Sequence, residues 1–531
     1  MNKLTRREML KLIGIGSAGM ALAACVPPQA GTPAAAPAAG GAAAVSAEPI
    51  SITLIESWFG VPQFTESLEP ITQAISNKMK DEGLNIELHS LILADHGAKY
   101  PALYASGSDF TMAFDAPWNK MNSLRDQGAL LPIEGLIESH GPTLKEAITE
   151  KIYNANFTND HLYGIPTAYY YGGTGGAIYR EDLRQKWGAD APTSEGGWPS
   201  LESFLAAVAK NAPEMIPFVN VATQSMTSYA GARRGLNPGV TNTGVLIPDP
   251  MTAWQLIDEE EYTARVEAAE LLRTWWEKGY VNKTDVPFSG QSQNSQVDYI
   301  YPSRAAACVE NEPEYKQIDQ TKQMQSSNPD AILAGVDLTG MRAGKYKGRG
   351  SLKQWNFIVF NINAPAEQQQ AGIEYYNWLT GDQDNMDLWL MGVDGVNYKK
   401  EDNLKFSEIE GVDAARNYRR QWYVSGVSGR YQRQPVNLPK DAEDALAFFT
   451  TESNWAFNPY EGFEADTKAL ELDAAKLNGI YEEATHGINT GQEPTADAIA
   501  KMKDMLDSAG RQEYKAKLQQ QLDDYIAAHK A

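Results

Sequence analysis

LNIELHSLILADHGAKYPALYASGSDFTMAFDAPWN, residues 84–119, holds two apolar runs separated by a short helical pattern. LNIELHSLIL reads as a strand, Ala98 to Ala105 as a short helix stopped by SGSD, and FTMAF, Phe110 to Phe114, as a second strand. Upstream, ISITLIES from Ile50 has the same strand character. Between these strands Leu68, Ile71, Ile75 and Met79 recur at helical spacing, and Gly83 ends the helix. Downstream, a helix is predicted from Trp118 to Gln127, closed by Gly128. Strands and helices alternating at this length specify an α/β fold, a parallel sheet with helices on both faces. The ligand crevice of such a sheet lies at the carboxyl ends of its strands. SWFG after the first strand and DAPW after the third therefore stand where a ligand would bind.

Further along, HLYGIPTAYYYGGTGGAIYREDL, residues 161–183, is a strand flanked by glycines that ends in a helix. Residues from Trp198 to about Tyr301 are helix-rich. Val266, Ala269, Leu272 and Trp276 line one helical face, with Gly279 as C-cap. SRAAACVEN, from Ser303, and QWNFIVFNINAP, 354–365, are strand-like, the latter followed by a helix through Leu379. Near the end Tyr514, Leu518, Leu522 and Tyr525 share a helical face. No internal repeat at solenoid or propeller spacing is found.

The N-terminus reads as a targeting segment. Lys3, Arg6, Arg7 and Lys11 precede an uncharged run from Leu12 to Ala24 that is too short to span a bilayer but fits a signal-peptide core. TRREMLK, Thr5 to Lys11, resembles a twin-arginine export motif. LAAC, Leu22 to Cys25, is similar to a bacterial lipobox, in which the Cys25 thiol is acylated and becomes the new N-terminus. The alternative is a plain signal peptide with an incidental Cys. Residues 27–47, PPQAGTPAAAPAAGGAAAVSA, carry no charge and cannot form a core, so they read as a tether. GIGSAG, Gly14 to Gly19, fits a dinucleotide-binding pattern but has no strand before it and lies in the segment to be removed.

About 480 of the 531 residues remain, enough for two or three domain-sized cores. The formal charge is −22 for the whole chain, and about −25 without the net +3 of residues 1–24. That balance disfavours nucleic acid and anionic lipid surfaces as partners. Cys308 is the only thiol left, so an intrachain disulfide is excluded, and its small apolar neighbours mark it as a packing residue.

The ordered set LYASGSDFTMAF, DQGALLPIEGLIESHGPTLKEAI, LYGIP, AIYREDLRQKWGADAPTS and LTGDQDNMDLWLMGVDGVNYKK, joined to a lipobox, resembles the extracellular solute-binding lipoproteins of bacterial ABC importers. It is most similar to the long sugar-binding branch of family 1 that includes the alginate-oligosaccharide-binding proteins. The resemblance implies a two-lobed periplasmic-binding-protein-like fold of type II, with crossing strands at a hinge and extra C-terminal helices. It places residues 48–165 with about 303–353 in the first lobe, and 166–302 with about 354–531 in the second. An oligosaccharide would sit in the cleft, the lobes would close over it, and the closed form would dock on permease subunits. It implies a monomer on the outer face of the cell membrane, held there by its lipid alone. Some relatives carry an Asp/Asn-rich calcium loop. The corresponding stretch here, AKNAPEMIPFVN from Ala209, has one carboxylate and two prolines, so no metal or other cofactor is expected.

A sugar ring needs flat aromatic platforms for its C–H face, and carboxylates and amides for its hydroxyls. Candidates are Trp58 and Phe59 in SWFG; Asp115, Trp118 and Asn119 in DAPWN; Tyr169, Tyr170 and Tyr171 in AYYYGG; Glu310 and Asn311 in VENE; and Asp394 and Asn397 in GVDGVNY. Trp58, Asp115 and Trp118 lead, because strand-end loops carry them. Each has a plainer reading: core packing for the rings, a cap of the helix after Pro117 for Asp115, a solvated rim for Glu310. Catalytic templates fail: the six His show no close metal-ligand spacing, and there is no G-x-S-x-G elbow or P-loop. A lipid-anchored glycoside hydrolase and a polysaccharide-holding surface protein without transport are the alternatives.

Overall fold

The computed structural model describes residues 48–528 except 57–64, 94–95, 107–108, 159, 168–169, 223–224, 228–242, 244, 247–255, 287–294, 346, 412–417, 419, 421–430, 458–462 and 464. The expected lipobox, tether, Trp58, Phe59 and Tyr169 lie outside the described residues.

The first lobe is built on five strands: β1 (Ile50–Glu56), β2 (Ile86–Ile92), β3 (Met112–Asp115), β4 (Ile165–Pro166) and, from much later in the chain, β9 (Phe357–Phe360), in the order β2-β1-β3-β9-β4. The first three run parallel, as the alternating strands and helices predict. β9 runs antiparallel to β3 and β4, with Phe357 opposite both Asp115 and Pro166. Helix Thr65–Asp81 covers the sheet with Ile71, Ile75 and Met79, the apolar stripe read from the sequence, and Gly83 at φ 91° lets the chain leave it. Helices Ala366–Gly381 and Gln383–Met391 complete this core with Tyr375, Tyr376 and Trp389.

The second lobe centres on β5 (Gly175–Arg180), flanked antiparallel by β6 (Ala307–Asn311) and β7 (Leu333–Asp337). Cys308 is fully buried there, and burial pushes its thiol well up, consistent with a packing role. Helix Thr263–Lys278 is buried on two sides. Leu272 and Trp275 face the second-lobe core, while Ala269 faces a bundle of three C-terminal helices, Thr467–Thr490, Thr495–Ser508 and Arg511–Ala528. Trp275, rather than the predicted Trp276, is the fully buried ring, because a helix enclosed on both sides has no single apolar stripe.

The expected lobe boundaries need correction. Residues 307–311 and 333–337 pair with β5, so they belong to the second lobe, and 357–360 lies within the first sheet. Helices Ala366–Gly381 and Gln383–Met391 likewise pack in the first lobe. Segments 167–174 and 338–356 are thus crossing segments. A third passage follows strand Gln434–Pro435, which pairs with first-lobe strand Lys405–Ser407. It runs through helix Lys440–Thr450 and strand β10 (Trp455–Phe457), parallel to β8 (Gly348–Gly350), to the C-terminal helices. Met341, Leu446, Phe449 and Trp455 give this junction its own apolar core.

β5 and β7 approach so closely that a Cβ on Gly176 would strike the Val336 carbonyl and come within 2.9 Å of the Leu338 nitrogen. Both obstacles are backbone and cannot move aside. Gly176→Ala is therefore expected to destabilise the second lobe by about 1–3 kcal/mol, seen as a lower melting temperature.

Candidate functional site

Strand direction decides what meets at the edge of each sheet. The carboxyl end of β3, the start of β9 and the end of β4 share one edge of the first sheet, and the crossing segments join it there. Trp118 follows β3, and Trp355 and Asn356 precede β9. Asn356 connects them: its side-chain oxygen accepts from the Trp118 indole N–H at 3.1 Å, and its backbone oxygen accepts from the Thr167 N–H and hydroxyl at 3.1 and 2.9 Å. Both indoles face solvent, Trp118 at 55% exposure and Trp355 at 46%, unusual for residues that normally bury most of their area. Beside them a concavity is lined by Thr167, Tyr170, Tyr171, Ser351, Lys353, Gln354, Trp355 and Asn356. Its floor is fixed by Gln354, buried, whose N–H donates to Asn156 Oδ1 at 2.8 Å. The Trp355 indole, amides, a lysine and hydroxyls line the hollow, Trp118 stands beside it through Asn356, and such groups suit the C–H face and hydroxyls of a sugar.

Asp115 does not offer its carboxylate to this hollow. It is fully buried, and Oδ1 accepts from the Ala116 N–H (2.8 Å), Asn119 Nδ2 (2.8 Å) and the Lys120 N–H (3.1 Å). It ties down the turn that presents Trp118; it does not cap the helix after Pro117, which opens at Met121 with Lys120 as N-cap and no side-chain capping bond. The helix after it is shorter than predicted, Met121–Asp126, because residues 116–120 are spent on this turn. Asp115 Oδ2 is buried without a hydrogen-bond partner, and burial pushes the carboxyl up to about 6 against the lowering effect of its N–H donors.

Tyr170 and Tyr171 both reach the hollow, although each also packs edge-on against the junction core, Tyr170 on Phe449 and Tyr171 on Phe457. Glu310 and Asn311 stand at the second-lobe edge, Asn311 opposite Gly175, where the crossing segment enters. Glu310 is committed internally. It accepts from Gln296 and Gln320 amides at 2.6 Å each and from the Asn311 N–H at 2.8 Å, and pairs with Lys316 at 3.1 Å. It is a structural hub rather than the solvated rim residue of the plainer reading. Asp394 and Asn397 hold their own loop, accepting from the Lys400 and Val393 N–H groups at 2.7 and 2.9 Å, and that loop packs at Ile71 of helix Thr65–Asp81.

Trp355, Asn356 and Lys353 were not singled out by the sequence. The signal was present: QWN opens the strand 354–365, and an antiparallel strand beside β3 delivers its first residues to the crevice. Among the described residues no group of three or more His, Cys, Asp or Glu side chains could hold a metal ion.

A family model described as Domain of unknown function (DUF3502) matches residues 459–527, the three C-terminal helices. No curated protein sequence matches the chain. Solved structures do. The N-glycan transport solute binding protein (NgtS) from Streptococcus pneumoniae superposes with a TM-score of 0.70 at 17% identity, over 91% of this chain and 100% of that one. The alginate-binding protein AlgQ2 without calcium ion superposes at 0.60, with 15% identity over 90% and 99%. An HMO binding ABC-transporter associated solute binding protein from Bifidobacterium longum infantis does so at 0.55, with 13% identity over 90% and 99%. The chain thus has the two-lobed α/β fold of solute-binding proteins, the fold that its sequence resemblance implies.

Asp115 yields a test of the turn. Its folded pKa is raised above its unfolded value, so the folded state holds the proton more tightly. Its contribution is fully present below about pH 4 and is lost as pH rises through about 6. Relative to Asp115→Asn, the unaltered protein should lose on the order of 2–3 kcal/mol of stability between pH 4 and pH 7. Denaturant unfolding of both proteins at the two pH values checks the sign.

Proposed function

We propose that this protein is the substrate-binding component of an ABC importer, capturing an oligosaccharide between its lobes and delivering it to permease subunits without altering it. The observation that carries the reading is the pair of solvent-facing indoles, Trp118 and Trp355, joined through Asn356 where the crossing segments leave the first sheet. A ligand stacked on them would lie against both lobes, and rotation about the crossing segments would enclose it. The superposed S. pneumoniae protein in complex with Man5GlcNAc supports a glycan as the class of ligand. Trp58 and Phe59, on the neighbouring strand-end loop, are proposed to extend the platform. Tyr169, Tyr170, Tyr171, Asn119, Asn311 and Lys353 are proposed at its margins.

We further propose that the protein works outside the cytoplasm as a monomer, with Cys25 lipidated and residues 27–47 as tether. No helix among the described residues is long and apolar enough to cross a membrane. Incubation with labelled oligosaccharides, with the sugar recovered and sized, separates capture from hydrolysis: capture returns the label at its original length.

Trp118→Ala and Trp355→Ala should each weaken oligosaccharide binding by about tenfold to a hundredfold, the loss of 1–3 kcal/mol of apolar contact. Because both rings are half exposed, the melting temperature without sugar should barely move. Calorimetric titration and melting curves check both halves; a large fall in melting temperature with unchanged affinity would remove these rings from the site. Cys25→Ala should shift the protein from the membrane to the soluble fraction, and retention through a high-salt wash would refute the lipid anchor.

A further inference from the structure

The second-lobe sheet has a third contributor to its cleft-side edge. Residues 216–219 run parallel to β6, with Ile216 opposite Ala305 and Val219 opposite Cys308. Continued in this register, Asn220 lies level with Val309 and the chain runs on towards Asn311, the end of β6 that faces Gly175 and the entering crossing segment. We infer that the C-terminal helical module positions this edge through Asn489.

Asn489 lies in the last turn of helix Thr467–Thr490, where backbone carbonyls lack helical partners. Its carbonyl accepts from Asn220 Nδ2 at 2.7 Å. Its side-chain oxygen accepts from the Thr227 hydroxyl at 2.8 Å and from Arg265 Nη2 at 2.9 Å. Asn220 returns the constraint, its Oδ1 accepting from the Met226 N–H at 3.3 Å. Arg265 is itself oriented by Glu259 at 2.8 Å and by the Tyr481 hydroxyl of the module at 2.7 Å. Asn220, Thr227, Arg265 and Asn489 are all more than nine-tenths buried. One residue of the module thus satisfies buried donors from two places on the second lobe: the loop at its cleft edge and helix Thr263–Lys278. An apolar contact such as Leu477, Leu506 or Leu518 holds the module in place but has no directional hold on a loop. A buried acceptor with two donors does, since any shift of the loop leaves a polar group unpaired in a low dielectric. This assigns the module a role in binding, and only its effect on sugar affinity rests on the function proposed above.

The test uses the full mature chain, amide hydrogen exchange, and titration with mannose, glucose and N-acetylglucosamine tetrasaccharides. Thr227→Val removes the loop's donor to the Asn489 side chain and leaves Asn220 and Arg265 paired. Asn489→Leu removes the side-chain acceptor but keeps the carbonyl that holds Asn220, and Asn489→Asp restores an oxygen in the same place. In the first two variants amides 225–227 should exchange about tenfold faster, while in Thr227→Val helix Thr263–Lys278 keeps its protection. The same two variants should bind the best tetrasaccharide roughly tenfold more weakly, with Asn489→Asp close to the unaltered protein. Unchanged exchange in Thr227→Val overturns the inference, as does faster exchange with unchanged affinity. Should no tetrasaccharide bind the unaltered protein, the sugar reading fails by itself, and exchange at 225–227 alone upholds or overturns the tether.

Discussion

The structure turns on the insertion of Phe357–Phe360 between β3 and β4. A strand from residue 357 completes a sheet begun at residue 50, so the chain must leave the first lobe, build most of the second and return. Its antiparallel register, Phe357 against Asp115 and Pro166, then fixes the rest. The chain leaves and re-enters at the same sheet edge. Trp355 and Asn356 come to lie beside Trp118, and the hollow opens next to the crossing segments. A shift of one residue in that register would exchange Ile358 and Phe360, buried on one face, with Phe357 and Val359, buried on the other, and misfit both cores.

The junction is held by more than apolar contact. Arg342, on a crossing segment, bridges fully buried Glu314 at 2.6 Å and Asp441 of helix Lys440–Thr450 at 2.8 Å. Asp337, at the end of β7, accepts from the Thr339 and Arg342 N–H groups and from Ser194. Burial outweighs the Arg342 pairing at Glu314 and pushes that carboxyl up to about 7, with Asp337 adding repulsion. Charges withdrawn from water to this degree contribute little net stability, but they specify geometry, since each misplaced partner leaves a buried charge alone.

Local patterns told much of the fold. The stripe Ile71, Ile75, Met79, the strands at 50–56, 86–92 and 112–115, and the terminal face Tyr514, Leu518, Leu522 were legible because period and apolarity are local properties. Strand partnership is not. Nothing in SRAAACVEN or QWNFIVF states which sheet it will join, and the two were assigned to the wrong lobes. The site followed the same division. Trp118 could be placed from its strand-end loop, whereas Trp355 became visible only once β9 was seen beside β3. Asp115 was correctly located, but its burial, and hence its work on the turn rather than on a ligand, depends on neighbours far away in sequence.

Three passages between the lobes also impose a timetable. The first sheet waits for residue 360, and the junction core for Trp455. Arg265, already beside Glu259, meets its remaining partners only when Tyr481 and Asn489 of the C-terminal helices have been made. Domains that are continuous in sequence can fold one after another as they emerge during synthesis. Here neither lobe can close early, so an apolar strand such as Met112–Asp115 has no final neighbour until residues 357–360 have been made. With this connectivity the second lobe reaches its last buried contacts only when the C-terminal helices exist.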